Sequence, residues 1–175
     1  MNWDSWRLKE SWDILWERPY INYRKHHKLF WDLILDKADG HILDMGCGPS
    51  CIWENTDKDI TGVDFSESAI KQSKINIPNG KFIVSDITSI PLEDTFDTIV
   101  LCGVVNYFPN LHSLRKEVKR LSTHNTRVII TINDMRGLNN RYWDLPTVEE
   151  EFSKWGTIES AVFYEKIGWL IVVVV

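Results

Sequence analysis

The chain has 175 residues, 43% of them hydrophobic and 26% charged, with a net charge of −5. That is enough for one soluble domain with a sizeable core, and the acidic balance argues against a nucleic-acid partner, which usually meets a basic face. Three cysteines, odd in number and without zinc spacing, argue against a disulfide framework and fit a reducing compartment.

The opening residues show no basic-then-apolar leader, and the apolar end Trp169 to Val175 is too short to cross a bilayer. A cytoplasmic protein without a membrane partner is expected. Of nine tryptophans, Trp3, Trp6, Trp12 and Trp16 fall in the first segment, so it is expected to dock on the rest of the chain. Trp12 and Trp16 share one helical face. A second helix is expected from about Asn22 to Lys37, with Tyr23, His27, Phe30 and Ile34 on one stripe. These aromatics either pack on a sheet or cover a crevice. The basic run Arg24 to Lys28 reads as a solvated helix face. Residues 1–40 are taken as an N-terminal helical cover and 41–175 as the main domain.

The stretch Ile42-Leu43-Asp44-Met45-Gly46-Cys47-Gly48-Pro49-Ser50 reads as a buried strand ending in a glycine turn. Pro49 suits the first turn of a following helix, which is short, about Ser50 to Asn55. A strand, a glycine loop and a helix N-terminus make a site for a ligand with negative charge or acceptors. Ile60 to Val63 is a second strand that ends at Asp64. Ser66 caps a helix from Glu67 to about Ile75. Pro78-Asn79-Gly80 is a turn, and Phe82 to Val84 a third strand with Asp86 beyond it. Thr98 to Leu101 is a fourth strand running into Cys102 and Gly103. Leu111, Leu114, Val118 and Leu121 form the apolar stripe of a helix. Arg127 to Ile132 is a fifth strand. Thr147 to Trp155 reads as a helix with acids in its first turn. Ile158 to Tyr164 and Trp169 to Val175 close the chain as a strand pair, with Gly168 in the turn. Alternating strands and helices predict an α/β three-layer sandwich on a parallel sheet with one antiparallel strand, its strand ends converging on one crevice.

These elements, in this order, resemble the class I S-adenosylmethionine (SAM)-dependent methyltransferases. The family's acid followed by G-x-G matches Asp44, Gly46 and Gly48; its acid after the second strand matches Asp64 and its acid after the third matches Asp86. The family often has a further glycine where this chain has Ser50. The resemblance implies a Rossmann-like, mostly parallel seven-stranded sheet, SAM as cofactor, and N-terminal helices over the crevice.

SAM needs three kinds of contact. Asp64 at a strand end can accept from both ribose hydroxyls, with Phe65 against the adenine. By resemblance Asp86, with the backbone of Ile87, meets the adenine edge. The loop Asp44, Gly46, Cys47 and Gly48 lies under the methionine tail, with carbonyls near Leu101 and Cys102 taking its ammonium. Each acid has a structural alternative: Asp44 bonded to nearby amides, Asp64 and Asp86 capping helices or turns. Methyl transfer from an activated sulfonium needs positioning and exclusion of water more than a base. The catalytic candidates are Asn106 and Tyr107, with Asp134, Tyr142 and Trp143 near the acceptor. No metal is expected. The reading is a methyltransferase for a small-molecule acceptor. The rivals are an RNA or protein methyltransferase docking through Arg115, Lys116, Lys119 and Arg120 or through Arg24 to Lys28, a non-catalytic SAM-binding subunit, and a nicotinamide-dependent oxidoreductase. The last needs a third glycine in G-x-G-x-x-G, where this chain has Cys51.

Overall fold

A computed structural model describes residues 5–17, 21–133 and 143–175, the side chains of residues 5–8 and 21–27 excepted. Asp134, Tyr142, Trp3 and the side chains of Trp6, Tyr23 and His27 therefore lie outside the described residues. Two helices, α1 (Ser5–Trp16) and α2 (Ile21–Lys37), precede the sheet. Then follow β1 (His41–Met45), β2 (Asp59–Asp64), α3 (Glu67–Asn76), β3 (Lys81–Val84), β4 (Phe96–Cys102), α4 (His112–Arg120), β5 (Ser122–Asn133), α5 (Leu145–Phe152), β6 (Thr157–Tyr164) and β7 (Gly168–Val174). The seven strands form one sheet in the order β3-β2-β1-β4-β5-β7-β6. Strands β1 to β5 pair in parallel, and β7 runs antiparallel to both of its neighbours.

Strand alternation sorts the core onto two faces. Leu43, Met45, Ile99, Leu101, Val128, Ile130, Ile171 and Val173 meet Leu114 and Val118 of α4 and Val148 and Phe152 of α5. Ile42, Ile60, Val100, Ile129 and Leu170 meet Phe30 and Ile34 of α2, Ile70 of α3, and Trp53. Asp44 is two residues from Ile42 and so points to this second face.

The expected cap on α3 is present: Ser66 Oγ accepts from the Ala69 amide. Leu111, Leu114, Val118 and Leu121 are all buried, as their spacing requires. Two expectations need correction. The glycine loop is followed by a three-residue 3-10 turn, Cys51–Trp53, and Ser50 before it is left-handed at φ 56°, so Pro49 opens no α-helix. The helix expected from Thr147 starts at Leu145, because Asp144 Oδ1 accepts from the Thr147 amide at 2.9 Å and Pro146 falls in the first turn. Glu149, Glu150 and Glu151 consequently fall beyond its first turn.

Candidate functional site

The carboxyl ends of β1, β2 and β4 meet beneath α1. After β1 the chain turns through Gly46 (φ 79°) and Gly48 (φ 51°), angles that side chains rarely adopt. A Cβ on Gly46 would stand 2.6 Å from Cγ2 of Val104. The Gly46 and Cys47 amides both donate to Val63 O, at 2.7 and 3.1 Å, which ties the loop to β2. The Gly48 amide donates to Asp64 Oδ2 at 2.9 Å. Ser50 holds the left-handed backbone that the resembled family often gives to glycine. Ser73 Oγ supports it, 3.0 Å from Ser50 Oγ and 2.8 Å from Gly48 O.

Asp44 is the floor of the crevice and 2% exposed. The Trp53 indole N–H donates to its Oδ2 at 2.6 Å. Its Oδ1 is buried and has no hydrogen-bond partner among the described residues. Burial pushes this carboxyl up to about 7; the Trp53 bond opposes the rise and the nearby Asp64 charge adds to it. Asp44 lines a cavity of about 60 Å³ together with residues that include Gly46, Cys47, Gly48, Trp16, Trp31 and Cys102. That is room for a few water molecules. Among the described residues lining it, none is basic. A buried anionic oxygen beside two indoles suits a cationic group carrying N–H donors.

Asp64, at the end of β2, is 5% exposed. Its Oδ1 accepts from the Ser66 amide at 2.9 Å and its Oδ2 from Gly48. Burial raises its carboxyl, while the Ser66 and Gly48 amides hold it back and Asp13 adds repulsion. The Phe65 amide also bonds this carboxyl, which as an ionised group has about four acceptor sites in all.

Helix α1 lies across all three strand ends. Asp13 Oδ1 accepts from Ser66 Oγ at 2.5 Å and from the Ser68 amide at 3.2 Å, beside Asp64. Trp16 is buried against Gly48, where a Cβ would lie 3.2 Å from its Cζ2. Trp12 stacks on Trp16 at 5.3 Å between centroids and meets the ring of Tyr107 edge-on at 5.5 Å.

The structure therefore brings Asp44, Gly46, Cys47, Gly48 and Cys102 around one cavity. Asp64 adjoins it through Gly48. Phe65 is half-buried in the turn after β2. Asp86 is exposed and caps a local turn, its Oδ1 accepting from the Thr88 amide and hydroxyl at 2.8 Å each; Ile87 packs into the core. Asn106 Nδ2 donates to Asn133 O at 3.2 Å. Burial raises the Tyr107 phenol and the Cys47 thiol, and pushes Cys102 up to about 12. Trp143 stacks on Phe152, 5.6 Å between centroids, within the core. Trp31, Cys51 and Trp53 were not legible as site residues: Trp31 lies off the expected α2 stripe, and the other two belong to the 3-10 turn. Among the described residues no group of three or more His, Cys, Asp or Glu is arranged to hold a metal ion.

A family model described as a methyltransferase domain matches residues 36–171. A malonyl-[acyl-carrier protein] O-methyltransferase of Bacillus cereus is 32% identical over 90 residues, 47% of this chain and 34% of that protein. The chain spans about a third of the length of the curated relatives it matches. Two solved structures share the fold. The magnesium protoporphyrin IX methyltransferase of Synechocystis, solved with bound SAM, superposes with a TM-score of 0.75 at 15% identity, covering 99% of this chain and 98% of that one. A TehB-like SAM-dependent methyltransferase of Corynebacterium glutamicum gives 0.69 at 21% identity, over 89% and 95%.

Proposed function

The chain belongs to the methyltransferase-domain family, and we propose that it moves a methyl group from SAM to a small-molecule acceptor. The observation that carries this reading is the unpartnered Asp44 Oδ1, fully buried at the glycine loop. It matches the ammonium of SAM's methionine tail, which meets no basic competitor among the described lining residues. The Asp64 acceptor sites suit the ribose hydroxyls. Asp86, with one oxygen bonded to Thr88, keeps the other for the adenine edge.

When bound, SAM supplies a methyl already activated on a positive sulfur. The chain's own residues then orient the acceptor and exclude water. Asn106 fastens the loop after β4 to Asn133. Tyr107, kept protonated by burial, serves the acceptor as a hydrogen-bond donor rather than a base. Helix α1 acts as the cover. The cavity of about 60 Å³ is far below the roughly 300 Å³ of a small-molecule site, so Trp16 has to leave Gly48 for a nucleoside to enter. Its return excludes water.

The acceptor class follows from the chain's acidic charge and from the curated relative, which methylates a malonyl group on acyl carrier protein. Carboxylates of small acyl groups are the first acceptors to try. The macromolecular rival is weakened at α4: Arg120 is bonded to Glu117 and to the carbonyls of Ile90 and Leu92, so it is structural. The small and odd number of cysteines is the support for a cytoplasmic location; among the described residues no helix is long and apolar enough to cross a membrane.

Calorimetric titration with SAM and separately with NADH, followed by an acceptor panel of acyl carboxylates, RNA and protein, tests the reading. Micromolar SAM binding and turnover of a small carboxylate are expected. Binding of NADH instead removes the cofactor assignment, and methylation of RNA or protein alone removes the acceptor class.

A further inference from the structure

Trp53 belongs to no motif, yet among the described residues it holds the one hydrogen bond made to the Asp44 carboxyl. It sits in the 3-10 turn, fully buried in the cluster between the sheet and α2. An indole N–H only donates, and here it is spent on Asp44 Oδ2 at 2.6 Å. That leaves Oδ1 buried without a partner among the described residues, on a side chain that lines the cavity.

We propose that Trp53 is the positioning residue of the site, fixing the Asp44 carboxylate so that one oxygen is held by the indole and the other meets the ammonium of an amino-acid-bearing ligand. This rests on the SAM reading above.

The groups around Asp44 leave the indole no substitute. From β2 it is faced by the Asp64 carboxylate, from its own loop by Cys47, and from β4 by Cys102, with Cys51 also on the cavity wall. The described lining residues provide no cation. The Trp53 bond is thus the chief protein contact that favours the charged form, and burial opposes it. A ligand ammonium supplies the missing positive partner.

The sign of the pH effect follows. The ammonium binds the ionised carboxylate, and Asp44 ionises near 7. Affinity for a ligand with the amino-acid tail therefore rises about tenfold from pH 6 to pH 8. Loss of the indole N–H moves Asp44 higher still and shifts that rise upward, weakening binding about tenfold at pH 7.

The test is calorimetric affinity against pH for two probes, S-adenosylhomocysteine, which carries the tail, and 5′-methylthioadenosine, which lacks it. In wild type the first is expected to follow pH and the second not. In Trp53→Phe the midpoint for S-adenosylhomocysteine should move up while 5′-methylthioadenosine binding stays level; Trp53→His, which restores a ring N–H, should move it part of the way back. An unmoved midpoint with binding intact overturns the role of Trp53 and leaves the cofactor reading standing. Failure of both probes to bind wild type overturns the reading beneath it. The wild-type protein gives an independent readout: the Trp53 indole N–H resonance should titrate near pH 7 and lose that titration in Asp44→Asn. A resonance flat from pH 5.5 to 8.5 also overturns the proposal.

Discussion

The two halves of the sheet are built on different terms. Across β5 and β7 one face is wholly apolar: Val128, Ile130, Ile132, Ile171 and Val173 are buried in one cluster with α4, α5 and Trp155. At the carboxyl ends of β1, β2 and β4 the chain buries two carboxylates, three glycine turns with positive φ, a left-handed serine and an unpartnered acceptor. The first half is stabilised by burying apolar surface, roughly 1.5–3 kcal/mol for each large side chain. The second gives up part of that gain to hold polar groups away from water. A fold can carry such a site because the costs are gathered at one sheet edge, away from the packing that holds the molecule together.

Four substitutions would break or sharpen that contrast. Phe152→Ala, in the apolar half, should cost about 3–5 kcal/mol of stability in denaturant titration, with SAM affinity per folded molecule unchanged. Asp44→Asn should act through pH. A carboxyl near 7 in the folded chain and near 4 unfolded takes up a proton on folding. The ligand-free wild type should therefore lose stability as pH rises from about 4 to about 7, by at most about 4 kcal/mol, and level off above. Asp64, also raised, titrates in the same sense. The Asn variant should flatten most of this slope in thermal melts across pH; an unchanged slope would mean that Asp44 is not the buried acid responsible. Gly46→Ala, with φ 79° and a Cβ 2.6 Å from Val104, should cost about 2–4 kcal/mol and abolish SAM binding in calorimetry. Asp13→Ala should cost at most about 1 kcal/mol, yet speed cofactor association several-fold in stopped-flow tryptophan fluorescence, since it loosens α1 at Ser66 and Ser68.

The sequence was most legible where local chemistry and tertiary structure agree. Ser66 caps α3 as its type and position require, the α4 stripe faces inward at every expected residue, and the parallel sheet with its one antiparallel strand follows from the βα alternation and the closing pair. The glycine loop was legible because φ above zero and the approach of Val104 both demand glycine. Legibility ended where a residue's role is set by distant partners. Trp53 sits in a short turn with no periodicity of its own, and only the register of β1 brings Asp44 beneath it. Asp86 has the spacing of a cofactor ligand, yet its nearest donors are those of Thr88 in its own turn. Trp31 reaches the cavity from beside the core stripe of α2, a displacement that a helical wheel assigns to the flank.

The clustering of the thiols has a practical side. Cys47, Cys51 and Cys102 are the chain's entire complement of cysteine, and all three border the Asp44 cavity beneath Trp16. Alkylation of the native protein therefore samples one place. With Cys47 and Cys102 held as protonated thiols, their modification is slow at neutral pH. Protection of these thiols by a bound ligand then becomes a measure of how far the cavity is occupied.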